Sequence, residues 1–499
     1  MKKDKIQAVN RKDLAAAGIP DIRGVVSEAL KGANTAVRDV VEREVVLAAV
    51  SRLAMSPEPG REDLGSLSGH LGELAQALVR VRETAVYFKP RETPAPWKSW
   101  ADGSVEPSAV EQIQNACDLP VAVGGALMPD AHQGYGLPIG GVLAVRNAVI
   151  PFAVGVDIAC RMRLTIIDAP AEILSERGDA LAQALESETR FGVGAAFGAN
   201  ELLAHPVMDL DWSVSPVTEM MKKRAYAQLG TSGSGNHFVE FGELEVEADI
   251  DEPGLRLSAG RYPALLSHSG ARGTGEAVAN HYSALAQSLH PELPEALRHL
   301  AWLSLDSEEG QAYWAAMELM GKYASANHEL IHERVLAAAG LSALGFVENH
   351  HNFAWKEVWN NEELVIHRKG ATPAGKGVLG IVPGSMGTRG FVVRGKGSAA
   401  SYGSCSHGAG RRMSRKAAFR TLDRGRMLEI LAAGGIRLLS GPLDESPEAY
   451  KDIEAVIAAQ RDLIDVLAAF HPQIVKMAPA EETRPAWLKK RTEKREFCG

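Results

Sequence analysis

The stretch 121-VAVGGALMPDAHQGYGLPIGGVLAV-145 decides how the chain folds. Short runs of Val, Ala, Leu and Ile are broken by single and paired glycines. Glycine costs about 1 kcal/mol relative to alanine in a helix interior, so this texture points to strands joined by tight turns. Upstream the pattern is different. The runs 24-GVVSEALKGANTAVRDVVEREVVLAAVSRLA-54 and 70-HLGELAQALVRVRETAVYF-88 carry apolar residues at helical spacing, with the breaker 56-SPEPG-60 between them. Residues 1–95 therefore read as a helical N-terminal extension that ends in the Pro-rich linker 89-KPRETPAPWKSW-100. Downstream, 148-AVIPFAVGV-156 continues the β-type texture, helical spacing returns in 274–289 and 310–340, and 364-LVIHR-368, 378-VLGIVP-383 and 391-FVVRG-395 form a second β-type block. Segments 413–423, 426–436 and 448–470 read as helices, and 480–499 as a basic C-terminal tail. Strands and helices alternate irregularly, which predicts a mixed α/β (α+β) body over 96–479 rather than a repeated βαβ array.

Composition bounds the partners. The chain has 499 residues, 45% of them hydrophobic and 23% charged, enough apolar side chain for a large core. No stretch approaches a membrane span, and no apolar run follows the basic start, so neither a membrane anchor nor a signal peptide is expected. Cys117, Cys160, Cys405 and Cys498 are too scattered for a disulfide framework, which points to a reducing, cytoplasmic setting. The net charge of -8 argues against a uniformly basic nucleic-acid binder. One segment runs the other way: Leu364 through Leu422 has no Asp or Glu but contains Arg368, Lys369, Lys376, Arg389, Arg394, Lys396, Arg411, Arg412, Arg415, Lys416 and Arg420. It reads as an anion-attracting, Gly-rich segment.

Four local patterns carry chemistry. In 154-VGVDIACRMR-163, Asp157 and Cys160 follow an apolar run at a spacing that lets carboxylate and thiolate converge on one cation. The loop 229-LGTSGSGNHFVEF-241 offers free N–H groups, then Asn236, His237 and Glu240. In 265-LLSHSGARGTG-275, His268 leaves an apolar run and Arg272 follows. In 346-FVENHHNFAWKE-357, His350 and His351 precede Asn352, and one of the pair reads as a metal ligand. Each pattern sits where a β-type run meets a Gly or Asn turn, the place where scaffolds carry functional groups. Asp, Cys and His together suit Mn²⁺ or Zn²⁺ better than Mg²⁺ or Ca²⁺. In 404-SCSHGAGRRMSR-415, His407 stands among small residues ahead of Arg411 and Arg412, exposed for nucleophilic attack on phosphorus.

In order, 128-MPDAHQGYGLPIGG-141, 155-GVDIAC-160, 235-GNHFVE-240, 267-SHSGARG-273, 351-HN-352, 368-RKGAT-372, 383-PGSMGT-388 and 407-HGAGRRMSR-415 resemble the RtcB-type RNA ligases. The similarity spans about residues 97–476. It implies a single catalytic domain of central β-sheets flanked by helices. It also implies two Mn²⁺ ions bridged by Cys160, with Asp157 and His237 on one ion and His268 and His351 on the other. By the same match GTP guanylates His407, and the guanylate is held by Asn236, Glu240, Asn352, Pro383, Gly384, Ser385, Met386, Gly390, Gly408, Ala409, Gly410, Tyr450 and Lys476. Arg161, Arg272, Arg411 and Arg412 are candidates for RNA contacts. The implied reaction joins an RNA 3′-phosphate or 2′,3′-cyclic phosphate to a 5′-hydroxyl end, and the implied partners are such RNAs and an archease-like activator.

Departures from the family pattern accompany the match. The family usually reads GVDIGCGM, so Ala159 and Arg161 stand here for two glycines, and Gly390 stands where a Ser is usual. Two other classes of function fit the same residues: a metal-dependent RNA end-capping or cyclic phosphoesterase enzyme that does not seal, and a non-catalytic RNA-binding protein.

Overall fold

The computed structural model describes residues 8–19, 23–39, 41–56, 58–83, 90–101, 103 and 105–479. Cys498 and the expected basic tail lie outside them. The chain divides into two compact units. One comprises Met1–Arg91 with Leu285–Ala301, and the other Glu92–Ala284 with Trp302–Gly499.

The first unit is helical, as the spacing predicts: Arg11–Ala16, Arg23–Arg38, Arg43–Met55 and Ser68–Glu83. Leu14, Val25, Ala29, Ala33, Val46, Val50, Leu53, Leu71 and Leu74 close one core between them. Small residues on one helix face let its neighbour approach: a Cβ on Gly32 would stand 2.2 Å from the His70 carbonyl oxygen. The unit also takes in Leu285–Ala301, far away in sequence, which local patterning cannot foresee.

The second unit is built on two large sheets, with two-stranded ladders beside them. Its sheet strands are β1 (Trp97–Ser99), β2 (Ala122–Tyr135), β3 (Leu137–Val145), β4 (Arg161–Ile167), β5 (Phe238–Val246), β6 (Gly260–Ser269), β7 (Ala343–His350), β8 (Asn352–Trp359), β9 (Glu362–Lys369), β10 (Leu379–Val382), β11 (Gly390–Gly395), β12 (Arg437–Ser440) and β13 (Ile464–Met477). A five-stranded sheet runs β1-β2-β3-β9-β8. An eight-stranded sheet runs β7-β4-β6-β5-β13-β11-β10, with β12 alongside β13. Pairing is antiparallel except for β1 with β2 and β12 with β13. Met162, Leu164, Leu244, Leu266, Val392 and Phe470 form one apolar layer of the larger sheet, and Val239, Phe241, Leu265, Ile331 and Val335 another. The second layer is closed by the helix Glu308–Ala339, which starts where Ser307 accepts from the Gly310 N–H (3.1 Å) and stops at Gly340, φ 63°.

Two expected elements come out differently. Only Ala148–Val149 of the 148–156 run forms a strand; Pro151 opens a one-turn helix, Pro151–Val154, and Gly155 (φ 104°) releases the chain toward Asp157. In the expected helix 448–470, only Ile453–Ala459 is an α-helix, and Ile464–Met477 is an interior strand paired with both β5 and β11. Its apolar spacing admits either reading. The two neighbouring strands decide it, since buried pairing outweighs intrinsic preference.

Candidate active site

Antiparallel neighbours bring strand beginnings and strand ends to the same edge of a sheet, and here that edge is the site. Cys160 immediately precedes β4, His237 precedes β5, His268 lies near the end of β6, and His351 follows β7. The register aligns them: Arg161 is opposite both His350 and Ser269, and His268 is opposite both Met162 and Phe238. Backbone bonds stitch the loops together, with the Ala159 N–H on the Asn352 carbonyl (2.8 Å), the His351 N–H on the Cys160 carbonyl (3.0 Å) and the Ala371 N–H on the His351 carbonyl (3.2 Å).

All five expected ligands meet. Their donor atoms form two triplets, Asp157–Cys160–His237 and Cys160–His268–His351, each within 4.8 Å, with Cys160 common to both. Cys160 Sγ is 3.0 Å from His268 Nε2 and 3.6 Å from His237 Nε2; His237 Nε2 is 3.0 Å from Asp157 Oδ2, and His268 Nε2 is 3.2 Å from His351 Nε2. His268 Nδ1 lies 3.2 Å from the Asn236 carbonyl, an arrangement that puts its proton there and leaves the Nε2 lone pair facing the other donors. Buried lone pairs converging at these separations are what a first-row cation requires. Burial holds the His268 imidazole down to about 3 and that of His351 well below its ordinary value, so both are neutral donors. Burial, reinforced by Asp157, pushes the Cys160 thiol up. Burial would also raise Asp157, but the His237 imidazole outweighs it and the carboxyl falls to about 2. A cation between them would reverse the thiol's preference.

His350, the other half of the pair, points elsewhere. It stacks on Trp355, with ring centroids 5.0 Å apart, and packs against Phe353 at 4.8 Å.

His407 reaches the cluster from the opposite side. The short strand Ser404–Ser406 pairs with Ala371–Pro373 and delivers the His407 ring to within 5.0 Å of the His351 ring. Asp130 fixes it: Oδ2 accepts from the His407 N–H (3.0 Å) and from Nδ1–H (2.6 Å), which leaves the ring's lone pair on Nε2. Burial would raise the Asp130 carboxyl, but its interaction with His407 holds it below its ordinary value. Lys451 clamps this turn by donating to the Pro129 (3.1 Å) and Ala131 (2.9 Å) carbonyls. Gly410 (φ 71°) must be glycine, because a Cβ there would stand 2.2 Å from the Asp130 carbonyl oxygen. Sequence reasoning missed Asp130, although 128-MPDAHQG-134 places a lone carboxylate between Pro and His in an apolar strand.

Asp157, Cys160, His268, His351 and His407 line one cavity of about 400 Å³. Asn236, Glu240, Asn352, Pro383, Gly384, Ser385, Met386, Gly390, Gly408, Ala409, Gly410 and Tyr450 all border it. Burial holds the Glu240 carboxyl well above its ordinary value. A Cβ on Gly390 would meet Pro383 Cα at 3.0 Å, so this chain leaves little space for the usual Ser. Asn352 borders the cavity while its amide ties the Asp157 carbonyl (3.2 Å) to the Gly370 N–H (2.8 Å). Lys369, Arg415, Glu445 and Phe238 border it too and were not expected to.

Several expected contacts are not brought together. Lys476 does not border the cavity. Val475 and Met477 do, and strand alternation sends Lys476 to the other face, where it donates to the Leu185 (3.1 Å) and Glu186 (3.2 Å) carbonyls and pairs with the Glu186 carboxylate at 3.0 Å. It caps the helix Gly178–Glu188. Arg161 is buried, ion-paired with Glu348 and bonded to the Gly321 carbonyl (3.2 Å). Arg272 is buried against His237, 3.3 Å from Nδ1. Arg411 borders the cavity and pairs with Glu445 at 3.3 Å, and Arg412 donates to the Glu448 carbonyl at 2.7 Å. The acid-free segment is not one basic face either. Glu357 neutralises Arg368, Glu454 Arg389, Glu252 and Asp465 Arg394, and Asp444 and Glu445 Arg415. Those carboxylates lie outside the segment, so a window of sequence cannot show them.

The tRNA-splicing ligase RtcB family model matches residues 112–215 and 209–477 of this chain. The RNA-splicing ligase RtcB of Escherichia coli K12 is 34% identical over 401 residues, covering 75% of this chain and 95% of that protein. The tRNA-splicing ligase RtcB of Nanoarchaeum equitans is 32% identical over 437 residues, covering 73% of this chain and 90% of that protein. The RNA-splicing ligase RtcB of Mycobacterium bovis is 31% identical over 413 residues, covering 70% and 95%. Among the described residues no helix is long and apolar enough to cross a membrane.

Proposed function

Because this chain belongs to the RtcB family it is an RNA ligase, and we propose that it joins an RNA 3′-phosphate or 2′,3′-cyclic phosphate to a 5′-hydroxyl through GTP, Mn²⁺ and a guanylated His407. The observation that carries the finer reading is Cys160, shared by two donor triplets beside an oriented His407. Asp157, Cys160 and His237 would hold one Mn²⁺, and Cys160, His268 and His351 the second. Bound there, the ions would offset triphosphate charge. A buried thiol ligand suits a reducing, cytoplasmic setting.

His407 acts through Nε2, which attacks the α-phosphorus of GTP; a P–N bond forms and pyrophosphate leaves. Asp130 retains the Nδ1 proton and balances the charge that develops on the imidazole. Gly384, Met386, Gly408 and Gly410 border the cavity, and their backbone N–H groups would be the donors for phosphate oxygens. His407 then passes GMP to the RNA 3′-phosphate, and the 5′-hydroxyl attacks that phosphorus and displaces GMP. Glu240 and the apolar cluster of Met386, Val475 and Met477 with Phe238 would receive the guanine.

Incubation with Mn²⁺ and α-labelled GTP tests this directly. Label should map to His407, with the acid lability and alkali stability of a P–N bond, and the protein should then seal a 3′-phosphate to a 5′-hydroxyl. Label on a lysine would overturn the His407 assignment. An adduct with capping or cyclic-phosphate opening but no sealing would favour an end-modifying enzyme.

A further inference from the structure

We propose that Tyr135 is a positioning residue for the RNA 3′ end, its ring being the platform on which the terminal base stacks at the mouth of the cavity. The inference rests on the reading above, that the cavity takes RNA ends. Tyr135 closes β2 and pairs with Leu137 across Gly136, φ 71°. The hairpin tip is pinned from two sides. Gln112, on the helix Pro107–Cys117, accepts from the Gly134 N–H (3.0 Å) and donates to the Gly134 carbonyl (2.7 Å). The Lys369 ammonium donates to the Tyr135 carbonyl. Gly134 is packed so closely that a Cβ would stand 2.7 Å from the Leu137 carbonyl oxygen.

On this fixed backbone Tyr135 is 69% exposed, yet it borders the cavity together with Lys369, Gly370 and His407. The tip and the nucleophile share a neighbour: a Cβ on Gly370 would touch Ile139 Cγ2 at 2.3 Å and His407 Cε1 at 3.2 Å. A rigidly held, solvent-facing aromatic beside a phosphate-handling cavity is how proteins receive unpaired RNA ends, because every base has a stackable face. The guanylate does not require it, since Phe238, Met386, Val475 and Met477 form a separate apolar cluster. With a terminal base on Tyr135, the adjoining 3′-phosphate would enter the cavity that Lys369 and His407 also line.

The test is steady-state joining by the full chain, with Mn²⁺ and GTP, of a 3′-phosphate strand to a 5′-hydroxyl strand. Tyr135→Ala should raise KM for the 3′-phosphate strand about tenfold or more, with kcat at saturation within about threefold. Tyr135→Phe and Tyr135→Trp should restore KM, because the ring and not the hydroxyl is used. On a strand whose last nucleotide lacks a base, wild type and Tyr135→Ala should coincide. An unchanged KM, an equal loss on the abasic strand, or a loss in kcat alone would overturn the proposal. If the wild-type chain joins no ends, the underlying reading of the site fails, and the stacking role with it.

Discussion

Ala159 has φ 55°, a conformation in which a Cβ is strained, beside Cys160. The family pattern supplies glycine at this position. Ala159→Gly should therefore stabilise the protein by about 1 kcal/mol, less any entropy the unfolded chain regains. The unfolding midpoint should rise by about 1–3 °C, and a fall would show that the Ala159 methyl contributes packing that outweighs its strain. Asp130 is the other decisive single residue. Its carboxylate fixes which His407 nitrogen bears the proton, and an amide in its place admits the wrong tautomer. Asp130→Asn should slow His407 guanylation by about 10²-fold or more while leaving the bound Mn²⁺ count unchanged. Wild-type rates in the variant would remove Asp130 from the reaction. The paired histidines make a related point. Neighbouring residues at a strand end face opposite ways, so His351 joins the Cys160–His268 cluster while His350 enters an aromatic stack.

Strands β9 and β13 show what an element imposes on its side chains. Lys369 ends β9 wholly inside the body, and burial brings its ammonium down to about 7. An unfolded lysine titrates near 10.4, so between these values the unfolded chain binds the extra proton and stability rises with pH. Thermal melts between pH 7 and 10 should therefore show a stabilising trend that Lys369→Met flattens; an unaltered trend would place its origin elsewhere. On β13 the alternation that turns Val475 and Met477 toward the cavity turns Lys476 onto the end of the helix Gly178–Glu188. Lys476→Ala should accordingly lower stability by about 1 kcal/mol and leave the affinity for GTP unchanged. A selective loss of GTP binding, with unchanged stability, would return Lys476 to the nucleotide site.

At the scale of the whole molecule, the two donor triplets, His407 and the cavity all belong to one of the two compact units. We propose that the other unit does not build the site. A chain beginning at Glu92 should still form the His407 adduct with GTP and Mn²⁺. Because Leu285–Ala301 clusters with the N-terminal helices, amides of that segment should exchange hydrogen faster in the truncated chain. A truncated protein that folds and binds metal but cannot take up label would show that the first unit contributes to the chemistry.

The sequence by itself determined the residue types and their local settings. Helical spacing marked the N-terminal helices and the helix Glu308–Ala339, Gly-punctuated apolar runs marked most strands, and Asp157, Cys160, His237, His268, His351 and His407 each stood at the end of such a run. These features are legible because they depend on neighbours a few residues away. Only the tertiary structure decided which strands lie side by side, and so which distant carboxylates neutralise the arginines of 364–422 and that Asp130, 277 residues away, holds His407. It also made a strand of Ile464–Met477, whose first residues fall in the expected helix 448–470, and turned Lys476 from the cavity. The reason is physical: pairing register and face are set by contacts between segments far apart in the chain, and side-chain alternation turns a choice of register into a choice of what each residue touches.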